Sequence, residues 1–212
     1  FIREDFGEDQ KMMLESTQDF NEREIRPVLT RFEEKDYALV ESLMRKAGEL
    51  GLLGVNVPEK YEGLGMGFNT GMLICEEISS LTGSIATAFG AHTGIGTLPI
   101  LLYGTEEQKL HYLPKIASGE WMSCYNLTEP DAGSDANSGK TKAVLTQDGE
   151  HYEITGQKMW ISNAGFAHVF IVFARIEDDK NITGFIFEKD QVEGLTLNPE
   201  ETKLGIRSSS TR

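Results

Sequence analysis

Apolar residues recur with a helical period through the first ~120 residues and with a period of two after Trp121, so the pattern predicts helices first and strands afterwards. Residues 8–29 place Met12, Met13, Phe20, Ile25 and Leu29 near one face, and Pro27 marks the end of that helix. Asp36 is placed to cap a second helix carrying Leu39, Leu43, Met44 and Leu50, which Gly51 stops. Residues 68–82 and 84–103 are apolar nearly all round, the pattern of helices in the middle of a bundle. Thr105-Glu-Glu-Gln108 reads as a capping box that opens a fifth helix, closed at Ser118-Gly119. Beyond it, β-branched and aromatic runs at 142–145, 152–154, 169–173 and 182–187 predict strands, separated by Asp148-Gly149, Gly165 and Asp178-Asp179. The fold expected is α+β: an N-terminal all-α helical bundle over residues 1–121, then a small antiparallel, barrel-like β domain over residues 122–212.

Composition narrows the function classes. Hydrophobic residues make up 39% and charged ones 25%, ordinary values that argue against disorder. A formal charge of −14 repels phosphate backbones and anionic lipids, and no basic patch offsets it, so no nucleic-acid partner is expected. Cys75 and Cys124 lie in apolar contexts with no metal-ligand spacing, which predicts reduced, buried thiols and no metal site. No run of about eighteen apolar residues is apparent, so no membrane span is expected, nor a secretion leader. The first residue is not Met, which suggests numbering from inside a longer product.

Two segments carry the candidate chemistry. Tyr125-Asn-Leu-Thr-Glu-Pro-Asp-Ala-Gly-Ser-Asp135 runs from a strand into a turn forced by Pro130 and Gly133, leaving backbone N–H groups free for an anion such as a pyrophosphate. Gly156-Gln-Lys-Met-Trp-Ile-Ser-Asn163 is expected to end a strand with an aromatic, a hydroxyl and an amide, groups that can cover a planar ring and bond its edge. Other pieces are less specific. Gly63-Leu-Gly-Met-Gly67 follows Pro58 and a polar turn instead of a buried strand, so it does not read as a dinucleotide loop. His92 is open to two roles, a catalytic base or a structural hydrogen-bonder on a packed helix, the second being the commoner. Glu76 and Glu77 are adjacent on a helix and point about a hundred degrees apart, so they are not a facing dyad.

The two segments, in this order and about thirty residues apart, resemble those of the acyl-CoA dehydrogenase family. Gly104-Thr-Glu-Glu-Gln-Lys109, Tyr112-Leu-Pro-Lys115, Ala117-Ser-Gly-Glu120 and Lys203-Leu-Gly-Ile-Arg-Ser-Ser-Ser-Thr-Arg212 extend the resemblance along the whole chain. It implies a helical domain, a middle β domain and a third, helical domain that would follow residue 212. It also implies FAD as cofactor. Leu127 and Thr128 would contact the pyrimidine edge of the flavin, with Tyr125 beside the ring. Gly133 and Ser134 would hold the pyrophosphate, Trp160 would cover the ring with Ile161 adjacent, and Ser162 would bond the N5 and O4 region. Ser134 would also touch the acyl-CoA, and Gly94 and Gly96 would line an acyl pocket deep enough for a long chain.

The reaction implied is α,β-dehydrogenation of a fatty acyl-CoA to the trans-2-enoyl-CoA, with flavin N5 taking the β-hydrogen and electrons passing to an electron-transferring flavoprotein. The base in this family is a glutamate of the third domain, so no catalytic residue is expected in these 212 residues, and Glu129 is assigned to the flavin turn instead. The resemblance further implies a homodimer or homotetramer, cytoplasmic in a bacterium and in the mitochondrial matrix of a eukaryote. An acyl-CoA oxidase, or a non-enzymatic flavin-binding assembly factor of the same fold, is the alternative.

Overall fold

The computed structural model describes residues 5–212. Its helical part comprises α1 (Glu8–Phe20), α2 (Leu29–Glu33), α3 (Tyr37–Glu49), α4 (Phe68–Ser79), α5 (Gly83–Gly90), α6 (Leu98–Tyr103) and α7 (Glu106–Ala117). Local chemistry sets the ends. Asp36 accepts the Leu39 N–H at 3.0 Å and caps α3, and the chain reverses just beyond it at Gly51, whose φ is +75°. Thr105 and Gln108 form the reciprocal capping box that opens α7. Phe20, Ile25, Phe32, Val40, Met44, Ile74 and Ile78 fill the core between α1, α3 and α4.

The strands are β1 (Ser123–Asn126), β2 (Lys142–Leu145), β3 (Tyr152–Thr155), β4 (Val169–Ile176) and β5 (Ile182–Glu188). Here the expectation needs correction in one respect: the fold is α+β, but the sheet is mixed and does not close into a barrel. β4 is its centre. β1 runs parallel to the first half of β4, with Ser123 opposite Val169 and Asn126 opposite Val172. β2 runs parallel to its end, at Arg175 and Ile176. β5 is antiparallel along its length, and β2 and β3 form an antiparallel hairpin. Turn signals between sequential strands reveal hairpins but not parallel pairing across a long connection. The clue lay in β4 itself, an almost unbroken apolar run buried at Val169–Val172, as central strands with parallel neighbours are.

A second core joins helices to sheet through Val57, Tyr61, Ile100, Leu113, Ile116, Val169 and Ile171. At that seam His92 is fully buried. Its Nε2 lies 3.0 Å from the Ile116 carbonyl, and its Nδ1 accepts the Ser123 N–H at 3.2 Å. Burial drives its pKa down to about 4, partly opposed by the Ile116 bond, so the ring is neutral and its tautomer fixed. His92 is a structural hydrogen-bonder.

The expectation that no stretch is long and apolar enough to cross a membrane is also corrected. Gly83–Tyr103 is one continuous helix of 21 residues that meets that test by length and composition. It escapes a search for an unbroken apolar run because His92, Thr93 and Thr97 interrupt it. In this fold it is the central helix of the bundle, with a π-helical segment at Ala91–Gly96 and its buried polar groups bonded, Thr97 Oγ1 donating to the His92 carbonyl at 2.7 Å.

Candidate functional site

The two chemistry-bearing segments, distant in sequence, are bound to each other where β1 ends. The Met159 N–H donates to the Thr128 carbonyl at 2.9 Å. Lys158 Nζ donates to the Leu127 carbonyl at 3.1 Å and to Glu129 Oε1 at 2.7 Å. The Glu129 carboxylate also accepts the N–H groups of Lys140 at 2.6 Å and Thr141 at 3.1 Å. Burial alone would raise the pKa of Glu129, but Lys158 and these N–H donors outweigh it and hold the carboxyl at about 2. Side-chain exposures of 12% for Lys158 and 7% for Glu129 make this a mostly buried ion pair, with both carboxylate oxygens accepting hydrogen bonds.

The turn after β1 is tighter than expected. Glu129 and Ala132 exchange backbone bonds at 3.0 and 3.1 Å across Pro130-Asp131, so those two N–H groups are taken. Among the described residues no acceptor meets the N–H of Thr128, Gly133 or Ser134, nor the hydroxyls of Thr128, Ser134 or Ser162. A Cβ built on Gly133 would meet nothing within 4 Å, so the turn opens to solvent there.

The second segment is not the end of a strand, which corrects the reading at Trp160. β3 stops at Thr155 and the chain runs on irregularly to an isolated bridge between Ser162 and Thr211. Trp160 and Asn163 both adopt left-handed backbone, with φ of +61° and +67°. Asn tolerates that conformation; for a bulky residue it is an outlier that persists only when its surroundings impose it. The imposing contacts are several. Ile161 and Arg212 exchange backbone bonds at 2.7 and 3.2 Å, and the Asn163 N–H donates to the Ser210 carbonyl at 3.0 Å. Asn163 Nδ2 reaches across to the Ala88 carbonyl of α5 at 2.9 Å. Glu200 braces the opposite segment, accepting from Ser210 Oγ, the Thr211 N–H and Arg212 Nε at 2.7, 2.7 and 2.9 Å. The result is an indole that stands 62% exposed on a rigid backbone.

The residues singled out from sequence fall into three groups. Leu127, Thr128, Trp160 and Ser162 are brought together by the Lys158 and Met159 contacts, and Gly133 and Ser134 follow on the adjoining turn. Tyr125 lies against Phe173, ring centroids 4.9 Å apart, and packs on the core between helices and sheet. Ile161 is buried with Cys124, Phe170 and Val172 beneath the loop. Gly94 lines an apolar cavity of about 80 Å³ whose walls include Phe68, Cys75, Phe89, Gly90 and Leu101. Gly96 does not line it. An added Cβ there would sit 2.2 Å from Ser123 Oγ, so Gly96 permits close contact between helix and β1. The Asn163 amide, expected at the edge of the ring, is instead fully buried and donates to the Ala88 carbonyl, while Lys158 and Glu200 carried no expected role. Their polar partners are backbone carbonyls and distant residues, which no local pattern displays.

The donor set fits a flavin dinucleotide. Free hydroxyl and N–H donors at Thr128 and Ser162 suit the heteroatom edge of a ring, Trp160 offers a face to cover it, and Gly133 and Ser134 offer free N–H groups to an anion.

Comparison with known proteins gives one consistent result. Residues 7–120 match the family model described as "Acyl-CoA dehydrogenase, N-terminal domain", and residues 124–212 the one described as "Acyl-CoA dehydrogenase, middle domain". A probable acyl-CoA dehydrogenase of Bacillus subtilis is 48% identical over 212 residues, covering 100% of this chain and 35% of that protein. A short-chain-specific acyl-CoA dehydrogenase of Clostridium acetobutylicum is 36% identical (96% of this chain, 53% of that protein). A very long-chain-specific mitochondrial one of Bos taurus is 37% identical (88% and 31%). Among solved structures, an acyl-CoA dehydrogenase of Bacillus anthracis complexed with FAD superposes with a TM-score of 0.95 at 47% identity, over 100% of this chain and 36% of that one. An electron transferring flavoprotein of Acidaminococcus fermentans superposes with a TM-score of 0.91 at 33% identity, over 99% and 55%. The chain thus spans between about a third and a little over half of the proteins it matches.

Proposed function

The chain belongs to the acyl-CoA dehydrogenase family, and from that premise we propose that it forms the flavin- and acyl-binding part of an FAD-dependent enzyme that oxidises a fatty acyl-CoA to its trans-2-enoyl-CoA. The observation that carries the reading is the junction of the two segments, which leaves free donors beside an exposed, rigidly held indole. Thr128 and Ser162 would orient the ring by its heteroatom edge, Trp160 would shield one face from water, and Gly133 and Ser134 would fix the pyrophosphate. FAD supplies the acceptor for the substrate's β-hydrogen. Fixed donors at the pyrimidine edge favour the charge that accumulates there on reduction.

No described carboxylate at this site suits abstraction of the α-proton. Glu129 is held ionised at about 2 with both oxygens accepting hydrogen bonds, far too weak a base. His92 has both ring nitrogens engaged inside the core. The base comes, on this reading, from a further domain of the family's architecture.

The apolar cavity under Gly90 and Gly94 is the proposed seat of the acyl tail. A Cβ on either glycine would meet nothing within 4 Å, so both leave depth where a larger side chain would cut it short. At about 80 Å³ the cavity is smaller than an ordinary ligand pocket, so the proposed long-chain preference rests on the open glycines and not on its present volume. Relatives specific for short and for very long chains are almost equally similar, so identity alone does not choose between them. An electron-transferring flavoprotein as electron acceptor is supported by membership of the family.

The test is an anaerobic titration of the full-length, FAD-loaded protein with palmitoyl-CoA and then butyryl-CoA, read in the visible spectrum. Bleaching at one equivalent, stronger for the longer chain, is expected. A yellow protein that neither acyl-CoA bleaches would overturn the enzymatic reading, and rapid reoxidation by dioxygen would make it an oxidase.

A further inference from the structure

Lys158 and Glu129 lie outside the residues assigned to flavin contact, yet they grip the same backbone. The Lys158 ammonium donates to the Leu127 carbonyl at 3.1 Å and to Glu129 Oε1 at 2.7 Å. In a trans peptide the C=O and N–H of one unit point to opposite sides. The unit whose oxygen faces Lys158 is the unit whose N–H belongs to Thr128, and that N–H points away from the ammonium and meets no acceptor among the described residues. A cation bonded to the oxygen polarises the whole unit and makes its N–H a stronger donor. Little water screens this, because the pair is almost entirely buried. The next peptide is fixed in turn, since the Thr128 carbonyl accepts from Met159.

We propose that Lys158 is a positioning residue that acts through the Leu127–Thr128 peptide to raise the electron affinity of the redox group bound at the Thr128 N–H, with Glu129 holding the ammonium in place and partly offsetting its charge. The inference rests on the FAD reading above. A ring whose edge lies on that N–H gains negative charge on reduction, so a stronger donor, and a cation behind it, favours the reduced form. Glu129 works against this by its charge and for it by its geometry. The two halves of the pair therefore have opposite electrostatic effects on one observable.

Spectroelectrochemical titration of the FAD-loaded protein tests this, with a melting curve recorded for each variant. Lys158→Met is expected to lower the equilibrium constant for flavin reduction about tenfold, about 30 mV for a two-electron couple. Lys158→Arg should recover most of that loss. Glu129→Gln leaves the cation without its counter-charge and should move the potential upward. A brace with no electronic role would lower the melting temperature in both charge-removing variants and leave the potential of bound flavin unchanged, and that result would overturn the proposal. Lys158→Arg and Glu129→Gln nearly conserve volume, so the sign of the Glu129→Gln shift decides the matter even if Lys158→Met fails to fold. Wild-type protein that takes up no FAD would instead overturn the functional reading, and this inference with it.

Discussion

The junction of the two motifs and the cavity below the central helix solve opposite problems within one small molecule. At the junction, polar groups are buried and their positions are fixed by partners: Glu129 by Lys158 and two backbone N–H groups, Asn163 by Ala88 and Ser210. In the cavity, apolar walls and the lack of side chains at Gly90 and Gly94 set a volume. The first recognises by donors whose direction is set in advance, so removing a member should damage the fold itself. The second recognises by volume, so adding a group should change what fits and leave the fold intact.

The largest effect expected is from Glu129→Ala, which strands a mostly buried ammonium and leaves the Lys140 and Thr141 N–H groups without an acceptor. A loss of about 3–5 kcal/mol in urea unfolding is expected. A loss below about 1 kcal/mol would mean the junction is no more rigid than an exposed pair and would erase the contrast.

Acid should unsettle the buried polar groups in two steps, one at the helix–sheet seam and one at the junction. His92 has a folded pKa of about 4, below its ordinary 6.5, so its contribution is complete above 6.5 and is lost as pH falls toward 4, because the unfolded chain binds the proton first. Glu129, at about 2 against an ordinary 4.5, follows the same sign in a lower window, from 4.5 down to 2. Each step is worth on the order of 3 kcal/mol. Unfolding free energy measured from pH 7 to pH 3 should fall in both windows, and His92→Gln should flatten the upper one alone. A profile whose upper window survives that substitution would remove His92 from the account.

The smallest effect on stability, and a selective one on function, is expected from Gly94→Leu. The melting temperature should change by no more than a degree or two, while flavin reduction by palmitoyl-CoA falls about tenfold and that by butyryl-CoA is retained. Equal losses with both substrates would take the acyl tail out of this cavity.

The helices were largely legible in the sequence because their signals are local. Asp36 caps the residue three places on, Thr105 and Gln108 bond each other, and the apolar stripes need only a period. The strands were legible as segments, but their partners were not. β1 and β4 pair in parallel across a long stretch of chain, and neither strand's own sequence names its neighbour. The candidate site divides the same way. Thr128 and Ser134 stand out by residue type near Pro130 and Gly133, and Trp160 and Ser162 by residue type within one short motif. Lys158 carries no local signal, because its role comes from a carbonyl and a carboxylate supplied by a different segment. Positive φ at Trp160 was illegible in principle, since contacts with Ser210 and Arg212 impose it against the residue's own preference.

Those last contacts also determine how the molecule must assemble in time. Ser208 Oγ donates to the Phe32 carbonyl at 2.6 Å across a separation of 176 residues, and its N–H reaches Ser84 Oγ across 124. The stretch that follows seats the loop bearing Trp160. Loops of that length close late and at high entropic cost, and they reward the chain only when both ends are already ordered. The segment 208–212 thus ties the helices to the loop that follows β3 through contacts of high sequence separation. The two compositional halves should melt in one cooperative transition, and native-state hydrogen exchange should find the amides of Ile161 and Asn163 opening together with residues 208–212, ahead of the sheet's centre.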